Sequence, residues 1–176
     1  MQKITIELYE YDELNKKAQE RALSDWNEHN DDPFMQSHMI NLLKEKLEER
    51  SIKYDTDTIN VYYSLALCQG DGFMFEGLLT WKKKWSVRIN HSGHYYHSNS
   101  KTVEIWETAK DNLDHSDNIV PEAVAESFEE MYQAVCKEME QIGYDHIEYT
   151  QSEESFREVC EANGYTFEKN GKMRNV

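Results

Sequence analysis

Two stretches of the chain carry side chains whose types and spacing suit chemistry. Gln69-Gly70-Asp71-Gly72 sets a carboxylate between two glycines, which permits left-handed backbone and the close approach of a ligand or of a partner's backbone. Asp-Gly is equally a strong hairpin signal, so a turn and a binding loop both stand as readings. No helix carrying Lys-Ser/Thr follows, which argues against a phosphate-cradling loop. His91, His94 and His97 recur every three residues, with Tyr95 and Tyr96 between them. Imidazoles so close are a candidate transition-metal or catalytic set, and the tyrosines add stacking surface for a nucleotide-like ligand. Yet the spacing matches no metal signature and crosses a turn, where three rings need not converge. The expectation is therefore no metal and no cofactor. A ligand-binding or hydrolytic site would draw on Gln69, Gly70, Asp71, Gly72, His91, His94, Tyr95 and His97. No Ser-His-Asp, His-Glu-x-x-His or paired-carboxylate motif of a hydrolase is visible, and the balance falls toward a protein without catalysis.

Charge is the other feature of note. The 176 residues hold 19 basic and 34 acidic side chains, a formal net of -15. Residues 111 to 161 alone hold 15 acidic and two basic ones, so nearly all of the excess lies in this stretch. An acidic chain repels DNA and anionic membranes, and direct DNA binding is not expected. With 39% hydrophobic residues and 21 aromatics the chain has material for a core, and it has no apolar run long enough for a membrane span. Three widely spaced cysteines, Cys68, Cys136 and Cys160, suggest neither a disulfide framework nor a zinc ribbon. The first nine residues alternate apolar and polar side chains and lack the order of a signal peptide, so they read as a strand of a cytosolic protein.

The elements that must position these residues follow from periodicity. Asp12 precedes a helical run from Glu13 to about Trp26, and Asp32-Pro33 opens a second helix through Met35, Met39, Leu43 and Leu47. From Ile59 the period changes to two, giving a strand up to the Gln69–Gly72 loop and another from Phe73 to Trp81, with Gly77 as a candidate bulge. Lys82-Lys83-Lys84 marks an exposed turn before a third strand from Trp85 to His91. A further strand surrounds Val103 and Ile105. Pro121 begins a long helix with Val120, Val124, Phe128, Met131, Val135, Met139 and Ile142 on one stripe and glutamates opposite, ended by Gly143. Thr150-x-x-Glu153 reads as a capping box for a last helix stopped at Asn163-Gly164, and a hairpin through Asn170-Gly171 closes the chain. The order predicts one α+β domain over residues 1–176, with a mostly antiparallel sheet of about five strands, two N-terminal helices and two C-terminal ones.

Several segments together resemble a widespread group of small phage and prophage proteins. Asp12-Glu13-Leu14-Asn15-Lys16-Lys17-Ala18-Gln19-Glu20-Arg21-Ala22 is similar to that group's "ELSEEAKEKA" opening helix. Cys68-Gln69-Gly70-Asp71-Gly72 resembles its "SQGDG" loop, His94-Tyr95-Tyr96-His97 its "R-Y-x-H" strand, and Phe156 to Gly171 its closing helix and "Y-x-F-x-x-x-G" hairpin. Cys68 stands where serine is usual and His94 where arginine is usual. The resemblance implies a phage genome as context, with a host cytoplasm as location, and no particular reaction.

These strands of evidence lead to a specific expectation. A small acidic phage protein without catalytic motifs suits the role of an inhibitor that fills a basic nucleic-acid-binding site of a host defence protein, of the anti-CRISPR or anti-restriction type. Its partner-binding carboxylates would be Asp111, Asp114, Asp117, Glu122, Glu126, Glu129, Glu130 and Glu140, and its partner a basic nuclease or CRISPR effector. The alternative is a nucleotide-like ligand bound or hydrolysed at the Gln-Gly-Asp-Gly loop and the histidines.

Overall fold

The computed structural model describes residues 6–29, 32–108 and 120–174. The architecture is α+β, with four α-helices, a five-stranded antiparallel sheet and a two-stranded ribbon among those residues. The chain divides into two compact units, one formed by the segments up to Asp32 and from Asp145 onward, the other by Pro33–Tyr144.

In the first unit a single 3₁₀ turn (Tyr11–Glu13) leads into α1 (Lys16–His29), and α4 (Glu153–Asn163) is followed by the ribbon of β6 (Thr166–Phe167) and β7 (Met173–Arg174). Ala18 and Ala22 bury one face of α1 in a core with Tyr11, Leu14, Phe156, Cys160 and Phe167. The rings of Tyr11 and Phe156 meet edge to face at 5.1 Å, the geometry favoured by aromatic quadrupoles. Small residues on α1 leave room for that aromatic cluster. The expected first strand reduces to one bridge: Tyr9 exchanges two 2.9 Å backbone hydrogen bonds with Phe167, residues 6–8 are not in a strand, and residues 1–5 lie outside the described set.

Helix ends in this unit differ from the sequence reading in three places. Asn15, rather than Asp12, caps α1 by accepting from the Ala18 N–H at 3.1 Å, while Asp12 pairs with Arg157 at 2.8 Å. Ser152, rather than Thr150, caps α4 by accepting from the Ser155 N–H at 3.1 Å. The helix after Asp32-Pro33 has Phe34 at its N-cap position, and the Asp32 carboxylate lies 2.9 Å from His146 Nε2. In each case several Asp, Ser, Thr or Asn side chains compete within a few residues; Asp12 and Asp32 have distant partners, and the Thr150 hydroxyl donates to the Ile147 carbonyl.

The second unit contains α2 (Met35–Glu49), β1 (Lys53–Tyr54), β2 (Asn60–Ser64), β3 (Gly72–Trp81), β4 (Trp85–His91) and β5 (Lys101–Glu107), together with α3 (Glu122–Thr150) as far as Tyr144. β3 is the hub. Its first half pairs with β2 and its second half with β1, and Gly77 marks the change of partner and begins the ladder to β4. β4 pairs with β5 through His91↔Lys101 to Trp85↔Glu107. Met39, Leu43 and Leu47 of α2 and Phe128, Tyr132, Val135, Cys136 and Met139 of α3 are buried with Phe73, Phe75, Leu79, Val87 and Ile89 of the sheet. The stripe expected on α3 holds at Phe128, Val135 and Met139 and misses at one position, where Tyr132 is buried and Met131 only half-buried.

Gly143 does not end α3. It is buried in the helix interior, and a Cβ there would collide with Leu65 and come within 3.3 Å of Met39 Cε, so glycine here serves close packing. The helix accepts the propensity cost of about 1 kcal/mol because the neighbouring side chains need the space. No helix among the described residues is long and apolar enough to cross a membrane.

Candidate functional site

The loop between β2 and β3 is built around Asp71. Its Oδ1 accepts from Ser64 Oγ at 2.9 Å and from the Cys68 thiol at 3.4 Å, while its Oδ2 accepts from the Cys68 backbone N–H at 3.0 Å and from the Tyr144 hydroxyl at 2.7 Å. Partial desolvation raises the carboxyl's pKa, but the hydrogen bonds from Tyr144, Cys68, Ser64 and Ala66 outweigh it and hold the group far below the usual carboxylate range. The hydrogen bonds it accepts raise the Tyr144 hydroxyl to about 12 and push the Cys68 thiol up. A carboxylate so committed is a loop-closing anchor. The two glycines divide the work: Gly70 takes φ +102°, and Gly72 lets His97 approach so closely that a Cβ would lie 2.7 Å from His97 Cβ. The close approach is thus to the protein's own backbone. Gln69 is exposed.

That contact brings the loop beside the histidine segment, as the sequence suggested, but the polar groups turn elsewhere. The His91 ring stacks on Tyr62 at 4.4 Å and its Nε2–H donates to the Tyr95 carbonyl at 2.8 Å. Its backbone N–H donates to Glu76, which also accepts from the Tyr62 hydroxyl at 2.7 Å. His97 Nδ1 accepts from the Asn99 N–H at 3.3 Å, and the His97 ring stacks with exposed Tyr95 at 5.6 Å. His94 is exposed. Among the described residues no three His, Cys, Asp or Glu side chains gather as metal ligands.

A buried lysine ties the same loop to α3, and the sequence did not single it out. Lys101 has a side chain only 6% exposed; its Nζ donates to the Ser98 carbonyl at 2.8 Å and to Glu129 at 2.9 Å, and sits 4.4 Å from the centroid of the Tyr132 ring. Gln133 joins Glu129, Asn99 and Ser98. Desolvation opposes the Glu129 charge, but Gln133 and Lys101 more than compensate and lower its pKa. The only hint in the sequence was a lysine opening a strand otherwise rich in apolar residues.

The acidic residues therefore separate into groups. Glu129 is taken up by the ion pair with Lys101 although its side chain is partly exposed. Glu140 is half-buried and lines a polar hollow of about 490 Å³ with His97, Gln133, Lys137 and Tyr144. Glu138, which was not among the expected partner-binding residues, is held by Lys46 at 3.0 Å and Arg50 at 2.6 Å. Glu122, Glu126 and Glu130 are exposed at i, i+4 and i+8 along α3. Asp111, Asp114 and Asp117 lie outside the described residues. Of the turn lysines, Lys82 donates to Ser127 at 2.8 Å and Lys84 pairs with Glu107 at 2.8 Å.

Beside the exposed glutamates is an open hollow of about 790 Å³, with Val103 and Ile105 of β5 and Val120, Ala125 and Phe128 as its apolar lining and Glu126, Glu129 and Glu130 on its rim. An apolar lining bordered by carboxylates is an arrangement suited to binding a partner that is both apolar and cationic. Comparison of the chain with protein-family models, curated proteins and solved structures returned no significant match.

Proposed function

We propose that this protein is a non-enzymatic acidic binding protein that occupies a basic, nucleic-acid-binding surface of a host defence protein during phage infection. The observation that carries the reading is the row of Glu122, Glu126 and Glu130, exposed along α3 and unpaired with any cation among the described residues, beside an apolar hollow. Carboxylates held at fixed spacing on a helix can replace phosphates before a Lys/Arg-rich groove, and their field steers association. The phage context rests on the sequence resemblance. The test is capture of partners from infected cells with the wild-type protein and with the Glu126→Lys/Glu130→Lys variant. The captured partner is expected to be basic, to bind the variant at least about tenfold more weakly, and to lose less affinity with added salt when it does. A partner that binds both proteins alike overturns the reading.

A second reading, a nucleotide-like ligand, is favoured by one feature, the polar hollow of His97, Gln133, Lys137, Glu140 and Tyr144. Asp71 and His91 have internal partners, so the ligand site would move from the loop to this hollow. Thermal shifts across a nucleotide panel test it, and none above buffer would count against it.

A further inference from the structure

The open edge of the sheet adds a direction to the acidic face. Among the described residues β5 pairs only with β4. Thr108 donates to Lys84 and Ser92 donates to the Ser100 carbonyl, and antiparallel pairs alternate between bonded and non-bonded. The bonded pairs are therefore the even-numbered residues of β5, and Val103 and Ile105 turn their N–H and C=O groups toward the open edge. The same two residues face the side of the sheet that carries buried Val87 and Ile89, their register partners, yet remain only half-buried themselves. Their side chains form one wall of the hollow whose other wall is Ala125 and Phe128, with Glu126 and Glu130 above it. An edge with free backbone groups beside a helix-walled apolar groove is the geometry of strand addition.

We propose that β5 receives an extended segment of a partner protein as an added strand, with apolar side chains on one face of that segment in the Val103–Phe128 hollow and interspersed lysines or arginines on Glu126 and Glu130. Charge complementarity selects this occupant. A second copy of the chain would bring a net of -15, and the chain's own residues 109–119, which follow β5, hold three aspartates against one lysine, Lys110, so neither matches a carboxylate rim. The proposal rests on the acidic-binding reading and narrows it to the chemistry and conformation of the docking segment.

The test uses the full chain and a synthetic peptide alternating lysine with valine or isoleucine, together with the same peptide N-methylated on alternate residues. Amide exchange followed by NMR should show Val103 and Ile105 exchanging freely in the protein alone and at least about tenfold more slowly with the first peptide, an effect the methylated peptide does not reproduce. Val103→Pro removes an N–H that the β4 ladder does not use and should abolish the protection at Ile105. The peptide comparison stands even if that variant fails to fold. Binding that depends on Glu126 and Glu130 but leaves Val103 and Ile105 unprotected overturns strand addition while the acidic-face reading survives. Absence of peptide binding, or protection of both amides before any peptide is added, also overturns it; in those cases the acidic-face reading is decided separately by the partner capture with the charge-reversal variant.

Discussion

Tyr144 donates a 2.7 Å hydrogen bond to Asp71, joining α3 to the β2–β3 loop across 73 positions of sequence. The residue pair turns what looks like a ligand loop into a fastening. Asp71 also gathers Ser64 and the Cys68 N–H, so its charge is fully engaged within the fold.

This fastening has an acid signature. Because the Asp71 pKa is depressed in the folded state, its stabilising contribution is present above the unfolded value of about 3.9 and is lost as the pH falls through the folded value. Asp71→Asn should therefore be less stable than wild type at neutral pH, with a gap that narrows below about pH 4. Urea unfolding over a pH series measures it, and a gap unchanged from neutral to strongly acid solution contradicts the assignment.

Thiol reactivity reports on the same contact. The hydrogen bond to Asp71 raises the Cys68 pKa, so Cys68, although exposed, should alkylate slowly near neutral pH, and Asp71→Asn should speed the reaction. Burial pushes Cys136 up to about 12 and Cys160 to about 11, and both should react only on unfolding. Mass spectrometry of timed iodoacetamide reactions distinguishes the three.

Tyr132→Phe should cost about 1–3 kcal/mol, because its buried hydroxyl both accepts from the Phe75 N–H at 3.2 Å and donates to the Phe75 carbonyl at 2.9 Å, and the variant strands both groups. Burial pushes that hydroxyl's pKa up strongly, so the ring stays neutral through the ordinary pH range. Equilibrium unfolding gives the number, and a neutral substitution would mean water replaces the hydroxyl.

Gly72→Ala should destabilise by about 1–3 kcal/mol, since the added Cβ meets His97 Cα at 2.8 Å and backbone cannot step aside as a flexible side chain can. NMR shifts concentrated between His94 and Ser100 should accompany the loss. Shifts confined to the β2–β3 loop would show that the two segments are not in contact.

By contrast, Glu126→Lys/Glu130→Lys should change stability by no more than about 0.5 kcal/mol, because neither carboxylate has a cation partner among the described residues. A larger loss in thermal unfolding would place these glutamates in the structure rather than at a binding face.

Much of the fold was legible because it depends on local periodicity. Alternation from Ile59 to Ser64 and from Trp85 to His91, the i, i+4 spacing on α2, and the Asn163-Gly164 stop each state a conformation within a few residues, whereas the alternation does not extend through Leu67, which is exposed with a positive φ. Less of the site was legible. Gly143 was read as a helix stop, although its absent Cβ makes room for Leu65 from elsewhere in the chain. The helix starts lie elsewhere as well: Asn15 caps α1 while Asp12 pairs with Arg157, and Ser152 caps α4 while the Thr150 hydroxyl donates to the Ile147 carbonyl of the preceding helix.

The sequence by itself determined the α+β class, the antiparallel hairpins and the concentration of negative charge in residues 111 to 161, since backbone propensity and net charge are sums over local residues. Only the tertiary structure decided which charges remain outside. Glu129 and Glu126 lie in the same turn of α3, yet Lys101 from β5 takes up Glu129 at 2.9 Å and leaves Glu126 exposed. A carboxylate's availability depends on the cation that packing brings within a few ångströms, and for these residues that cation comes from another element of the fold.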